Sequence, residues 1–217
     1  MKMILYIMRH GETDYNLRAL IQGQSNSSLT ENGVRLAVIT AQALRDVKFD
    51  RVISSPLQRA RETAEIMLRE NRVSHAEIET DDRLKEFSFG KWEGISCKPN
   101  GETAALNDFY FHPLQFKGAP GGESTLQVAE RTADFLREVI ADPQNDGKTI
   151  LITCHGGSMR ALLQMAYGEN EDFWHGGIPD NCAVNILSAE DGKLTFLAED
   201  KIYYDPALSN NPYAQYH

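Results

Sequence analysis

The chain has 217 residues, with 22 Lys and Arg against 31 Asp and Glu, a formal net charge of −9. Its 41% hydrophobic and 24% charged residues exclude a disordered chain and suffice for a sizeable core, within one domain expected over 1–217. No apolar run approaches bilayer length, no secretory leader is evident, and an acidic chain lacks the basic stripe that nucleic acid requires. The expectation is a cytoplasmic protein with no membrane or nucleic-acid partner.

In chain order, residues 3–8 form a buried strand, and Thr30 caps a helix over about 31–46 whose apolar positions are Val34, Ala37, Val38, Ala41 and Leu44. A short strand at 51–54 leads through Ser55-Pro56 into a helix ending near Leu68, and another short strand follows near 77–80. From Asp81 to Gly122 periodicity fades while Gly, Pro and aromatics accumulate, which predicts a long irregular insertion over one edge of the sheet. Ser124 and Gln127 make a capping box for a helix to about 141, with Leu126, Ala129, Ala133, Leu136 and Ile140 as its apolar stripe. A strand at 149–154 and a helix from about Ser158 to Tyr167 come next. Strands near 183–188 and 193–199, joined at Asp191-Gly192, close the sheet as an antiparallel edge hairpin. The alternation specifies an α/β fold with a mostly parallel sheet.

Two strands end in the same way. Met3–Met8 runs into Arg9-His10-Gly11-Glu12-Thr13, and Thr149–Cys154 runs into His155-Gly156-Gly157-Ser158 and a helix. Strand ends of a parallel sheet share one edge, so neighbouring strands would bring His10 and His155 together in the crevice there. Arg59, in the first turns of the helix after 51–54, reaches the same edge. Two imidazoles, the guanidiniums of Arg9 and Arg59, and glycine N–H groups at a helix start suit a phosphoryl group. Local positive potential outweighs the net charge, because distant charges are screened within roughly 8–10 Å.

Simpler readings stand beside this one. A lone strand-end His is usually structural, and an Arg near a helix start is usually solvated, as expected of Arg61 and Arg69. Glu12 and Asp14 could join the histidines around a metal, but Arg9 would repel a dication and no His-x-x-x-His spacing exists. Cys154 points to the opposite face from His155, which leaves it in the core rather than as a nucleophile. Cys97, Cys154 and Cys182 are odd in number and widely spaced, without a Cys-x-x-Cys pair, so neither a disulfide framework nor a zinc site is expected.

Arg9-His10-Gly11-Glu12-Thr13 resembles the signature of the histidine phosphatase superfamily, the phosphoglycerate-mutase-like proteins. The likeness continues through Asn16, Gln22-Gly23, Leu29-Thr30-Glu31-x-Gly33 and Ser54-Ser55-Pro56-Leu57-x-Arg59-Ala60-x-x-Thr63-Ala64. It then takes in Leu84-x-Glu86-x-x-Phe89-Gly90-x-Trp92-Glu93-Gly94, Pro120-Gly121-Gly122-Glu123-Ser124 and His155-Gly156-Gly157. The resemblance implies a three-layer α/β sandwich of about six strands. It also implies that His10 is the nucleophile, becoming phosphohistidine. Arg9, Asn16, Arg59, His155 and the Gly156 N–H would hold phosphate, and Glu86 would be the proton donor. Glu12, Asp82 and Glu93 are weaker candidates for that acid, read first as capping or surface carboxylates.

Two departures stand out, the first a loop variation with little catalytic meaning and the second bearing on the branch. Asn26-Ser27-Ser28 stands where members often carry Asp and Pro, and Leu20-Ile21-Gln22-Gly23 replaces the Phe-Thr-Gly-Trp stretch of the mutases. The phosphatase-type branch is therefore implied: a metal-independent phosphomonoester hydrolase, without cofactor, acting on a small phosphorylated metabolite. A cofactor-dependent phosphoglycerate mutase is the alternative, and an inactive phospho-ligand-binding module a further one. Phe87, Phe89, Trp92, Phe109, Tyr110, Phe111 and Phe116 either wall the leaving group or pack as core. Nothing in the pattern specifies an oligomeric state.

Overall fold

In the computed structural model, which describes residues 2–167 and 172–211, the first apolar run forms strand β1 (Met3–Arg9) near the middle of a six-stranded sheet. The order is β3–β2–β4–β1–β5–β6, with β2 (Arg51–Ser54), β3 (Ile78–Thr80) and β4 (Thr149–Cys154) parallel to β1. β5 (Val184–Glu190) runs antiparallel beside β1 and returns through Asp191-Gly192 into the edge strand β6 (Lys193–Lys201). Both turn residues take positive φ, the backbone that a two-residue hairpin of correct twist demands.

Among the described residues there are six α-helices: α1 (Asp14–Leu17), α2 (Glu31–Ala43), α3 (Gln58–Glu70), α4 (Leu106–Phe111), α5 (Thr125–Ala141) and α6 (Gly156–Tyr167). Alternation along the strands sorts the core into two layers. Leu5, Ile7, Ile150 and Ile152 pack against Phe135 and Leu136 of α5 and Met159, Leu162 and Leu163 of α6. Met8 and Leu151 point the other way, against Leu36, Ala37 and Ala41 of α2 and Ala64 and Met67 of α3. The three-layer sandwich follows. No helix among the described residues is long and apolar enough to cross a membrane.

Several boundaries differ from the sequence reading, each for a local reason. α2 stops at Ala43, and its Val34 is exposed while Leu36 takes a core position. α3 starts at Gln58 because Leu57 is still extended, which leaves Ser55 outside the helix. The α5 capping box is present as expected, but the buried stripe is Val128, Phe135, Leu136 and Val139, with Leu126 55% exposed. α6 begins at Gly156, two residues earlier than expected. The segment 81–122 is less irregular than its composition implies. It holds α4 and 3-10 turns at Asp82–Leu84, Gly90–Trp92 and Pro113–Gln115 around an aromatic cluster.

One glycine locks the loop after β1 onto α2. A Cβ on Gly33 would stand 2.0 Å from the carbonyl oxygen of Glu12 and 2.8 Å from its nitrogen. Replacing a helical Gly by Ala ordinarily stabilises by about 1 kcal/mol. Gly33→Ala is expected to reverse that sign and destabilise by about 2 kcal/mol or more, because backbone must move. A thermal melt of the variant checks it; an unchanged or higher melting temperature would refute the close contact.

Candidate active site

Parallel pairing of β1 with β4 sets Arg9 opposite Cys154, so the residues that follow, His10 and His155, leave the sheet side by side. Their ring centroids lie 5.2 Å apart. β2, on the far side of β4, delivers Ser55, whose Oγ is 2.8 Å from His155 Nε2. From the first turn of α3, Arg59 donates Nε–H to His10 Nε2 at 3.3 Å. The same guanidinium is anchored on the carbonyls of Gly23 at 2.7 Å and Ser25 at 2.9 Å. Thr63 joins the pieces one helical turn on: its hydroxyl donates to the Arg59 carbonyl at 2.7 Å and accepts the Gly11 N–H at 3.0 Å.

These contacts fix the tautomer of His10. Nδ1 lies 2.7 Å from the Gly11 carbonyl, which only accepts, so Nδ1 carries the proton and Nε2 the lone pair. Burial, then the charges of Arg59 and Arg9, hold the His10 pKa well below its usual value of 6.5. His155 is lowered in the same direction by burial and by Arg59. Both rings are therefore neutral at physiological pH.

Arg9 is buried, and its Nη1 donates to the Pro179 carbonyl. Gly156 permits that placement, since a Cβ there would lie 3.3 Å from Arg9 Nε and 2.5 Å from Ile178. Glu86 reaches the start of α6 from the insertion. Its Oε1 accepts N–H groups from Phe87 at 2.9 Å and Ser158 at 2.8 Å, and its Oε2 accepts from Gly157 at 3.0 Å. A carboxyl group thereby caps the positive end of the helix.

Arg9, His10, Arg59, Glu86 and Gly156 line one cleft, with Ile21, Gln22, Gly23, Phe89, Leu106, Phe109, Tyr110, Gly157 and Ile178. Asn16 and His155 are fully buried behind that surface rather than on it. Each has one nitrogen, Asn16 Nδ2 and His155 Nδ1, without a hydrogen bond to the described residues. Among the described residues no group of His, Cys, Asp and Glu side chains forms a metal-binding cluster.

The remaining candidates separate clearly. Glu12 accepts hydrogen bonds from Thr30 and Asn32, and Glu93 from Ser25 and the N–H groups of Gln24 and Phe89, which makes both structural. Asp82 pairs with Lys85 at the surface. Arg61 and Arg69 are solvated, and all three cysteines are free and buried. The aromatic residues divide: Phe89, Phe109 and Tyr110 line the cleft, Phe87, Trp92 and Phe116 are core, and Phe111 is exposed.

Two positioning residues escaped the sequence reading. Asn181 donates to the His10 carbonyl at 3.0 Å and to Asn16 Oδ1 at 3.3 Å, turning the Asn16 amide so that its NH2 is the group left over. Arg131 of α5 donates to the carbonyls of Arg83, Lys85 and Glu86 and to Glu123, clamping the backbone that carries Glu86. Glu123 within Pro-Gly-Gly-Glu-Ser was the available signal for the second.

The sequence profile described as the histidine phosphatase superfamily (branch 1) matches residues 5–200. The chain belongs to this family. Histidine phosphatase relatives include the metal-independent phosphoserine phosphatase of Arabidopsis thaliana, 32% identical over 193 residues, covering 87% of this chain and 77% of that one. The 2,3-bisphosphoglycerate-dependent phosphoglycerate mutase of Cytophaga hutchinsonii is 32% identical over 161 residues, covering 74% and 75%. Among solved structures, YhfR of Bacillus stearothermophilus superposes with a TM-score of 0.80 at 26% identity, covering 92% of this chain and 97% of that one. As a histidine phosphatase, the protein is an enzyme of the phosphatase or phosphoglycerate mutase kind.

Proposed function

We propose that the protein is a cytoplasmic, single-domain phosphomonoesterase that passes the phosphoryl group of a small phosphorylated metabolite to His10 and then to water, without metal or other cofactor. The observation that carries this reading is the neutral His10 imidazole, its Nε2 lone pair at the cleft and already under a guanidinium. Attack by Nε2 forms the N–P bond as the P–O bond to the alcohol breaks. Glu86 gives its proton to the departing oxygen, from Oε2, which accepts only one N–H. The carboxylate then takes a proton from water as its oxygen attacks phosphorus, and N–P cleavage returns the lone pair to His10.

Charge on the transferred group is met by Arg59 and Arg9 and by the Gly156 N–H, with Asn16 and His155 completing the pocket from behind. The Arg59 N–H that rests on Nε2 moves to a phosphoryl oxygen as the new bond consumes the lone pair. Two flanking guanidiniums also disfavour a dication, which supports chemistry without metal.

The mutase relative supports a second reading, in which phosphohistidine waits for another hydroxyl instead of water. Rapid quench with radiolabelled phosphoester, in excess chelator, tests both. The expected result is an acid-labile, base-stable label on the protein, with free phosphate released at an undiminished rate. Loss of turnover with chelator would overturn metal independence. Phosphoglycerate interconversion outpacing phosphate release, when 2,3-bisphosphoglycerate is supplied, would replace hydrolysis by the mutase reading.

A further inference from the structure

We propose that the alcohol half of the substrate is uncharged and apolar, an aryl or alkyl alcohol rather than one bearing a carboxylate or a second phosphate. This rests on the reading of the cleft as a phosphomonoesterase site and adds the class of ester it selects. The cleft has two chemically different ends. Arg9 and Arg59 are the only cations among the described residues that line it, and both stand at the His10 end. Its apolar wall is Ile21, Phe89, Leu106, Phe109, Tyr110 and Ile178, and the uncharged Gln22 beside it already accepts the Thr13 and Ser27 hydroxyls on Oε1.

The polar atoms of that wall are turned away from a ligand. Tyr110 donates its hydroxyl to the Cys97 carbonyl at 2.8 Å, and the Phe109 carbonyl takes the Trp174 indole N–H at 2.9 Å. The surface is also preformed. The Phe109 ring lies 5.1 Å from Phe89, 5.3 Å from Phe87, Tyr110 and Phe116, and 4.8 Å from Trp174 by centroid. An apolar group gains burial there without ordering the wall, whereas a carboxylate would lose water with no cation to replace it.

The test compares kcat/KM for 2-phenylethyl and n-hexyl phosphate with that for 3-phosphoglycerate and O-phosphoserine, all esters of primary alcohols. The apolar pair is expected to lead by about tenfold or more. Ile178→Arg sets a cation on the half-buried edge of the wall and should shrink that ratio severalfold, with Ile178→Gln as the uncharged control and a melting curve confirming that both fold. Turnover of the acidic esters as fast as the apolar ones would overturn this inference and leave hydrolysis through His10 standing. An unchanged ratio in Ile178→Arg would also overturn it. No turnover of any ester, with no label on the protein, would remove the phosphomonoesterase reading and this inference together.

Discussion

His10→Ala is expected to abolish turnover, lowering kcat for alkyl phosphates by about 10⁴-fold or more, the scale set by removing a covalent nucleophile. Labelling of the protein should vanish with it, and a substantial residual rate would refute the assignment. The wild-type pH profile supplies a second signature. Because the His10 pKa lies well below 6.5, the acid limb of kcat/KM should fall below that pH rather than at it. Stability responds in the linked direction. As pH falls through about 6.5 the unfolded chain binds a proton that the folded chain refuses, so the folded state loses stability toward lower pH. The variant should lose that share of the slope in denaturant titrations at about pH 7.5 and about pH 5.5, roughly one unit either side of the usual imidazole value. An unaltered slope would mean that His10 is not held neutral by the fold.

Glu86→Gln is expected to lower kcat/KM by about 10²-fold or more for alkyl phosphates and far less for 4-nitrophenyl phosphate, whose leaving group needs no proton. The amide also meets a site built for a carboxylate. Its oxygen can keep the Phe87 and Ser158 N–H groups, but its NH2 then faces the Gly157 N–H, donor against donor. A stability loss of about 1–3 kcal/mol should accompany the kinetic one. Damage to the scaffold would slow both esters equally, so the difference between them isolates proton transfer. Equal losses would leave Glu86 as a helix cap with no part in the reaction.

Much of this site was legible because its parts are short and local. An apolar run ending in His-Gly reads as strand followed by turn wherever it occurs, and two such ends in one parallel sheet have a single edge to share. Arg59 followed from the helix that opens after Ser55-Pro56. Less legible was which apolar residue faces in: on α5 both Leu126 and Val128 suit a stripe, and only the packed insertion selects Val128. Asn181 and Arg131 were invisible for a different reason. Their roles are hydrogen bonds across 171 and 45 residues of chain, and separations of that kind leave no periodicity to detect. The depth of Asn16 and His155 likewise depends on how closely the sheet edge and its loops pack.

The two ends of the cleft come from different kinds of structure. Arg9, His10, Arg59 and Gly156 sit at the termini of regular elements, while Phe89, Leu106 and Phe109 belong to 81–122 and Ile178 to the turn before β5. In the proposed reading the phosphoryl pocket and most of the apolar wall therefore come from different pieces of chain, with Glu86 of the insertion as the group that joins them. Another insertion on the same sheet edge would retarget such a site only if it still delivered a carboxyl group to the start of α6, so substrate can diverge through the aromatic positions of the insertion while Glu86 stays fixed.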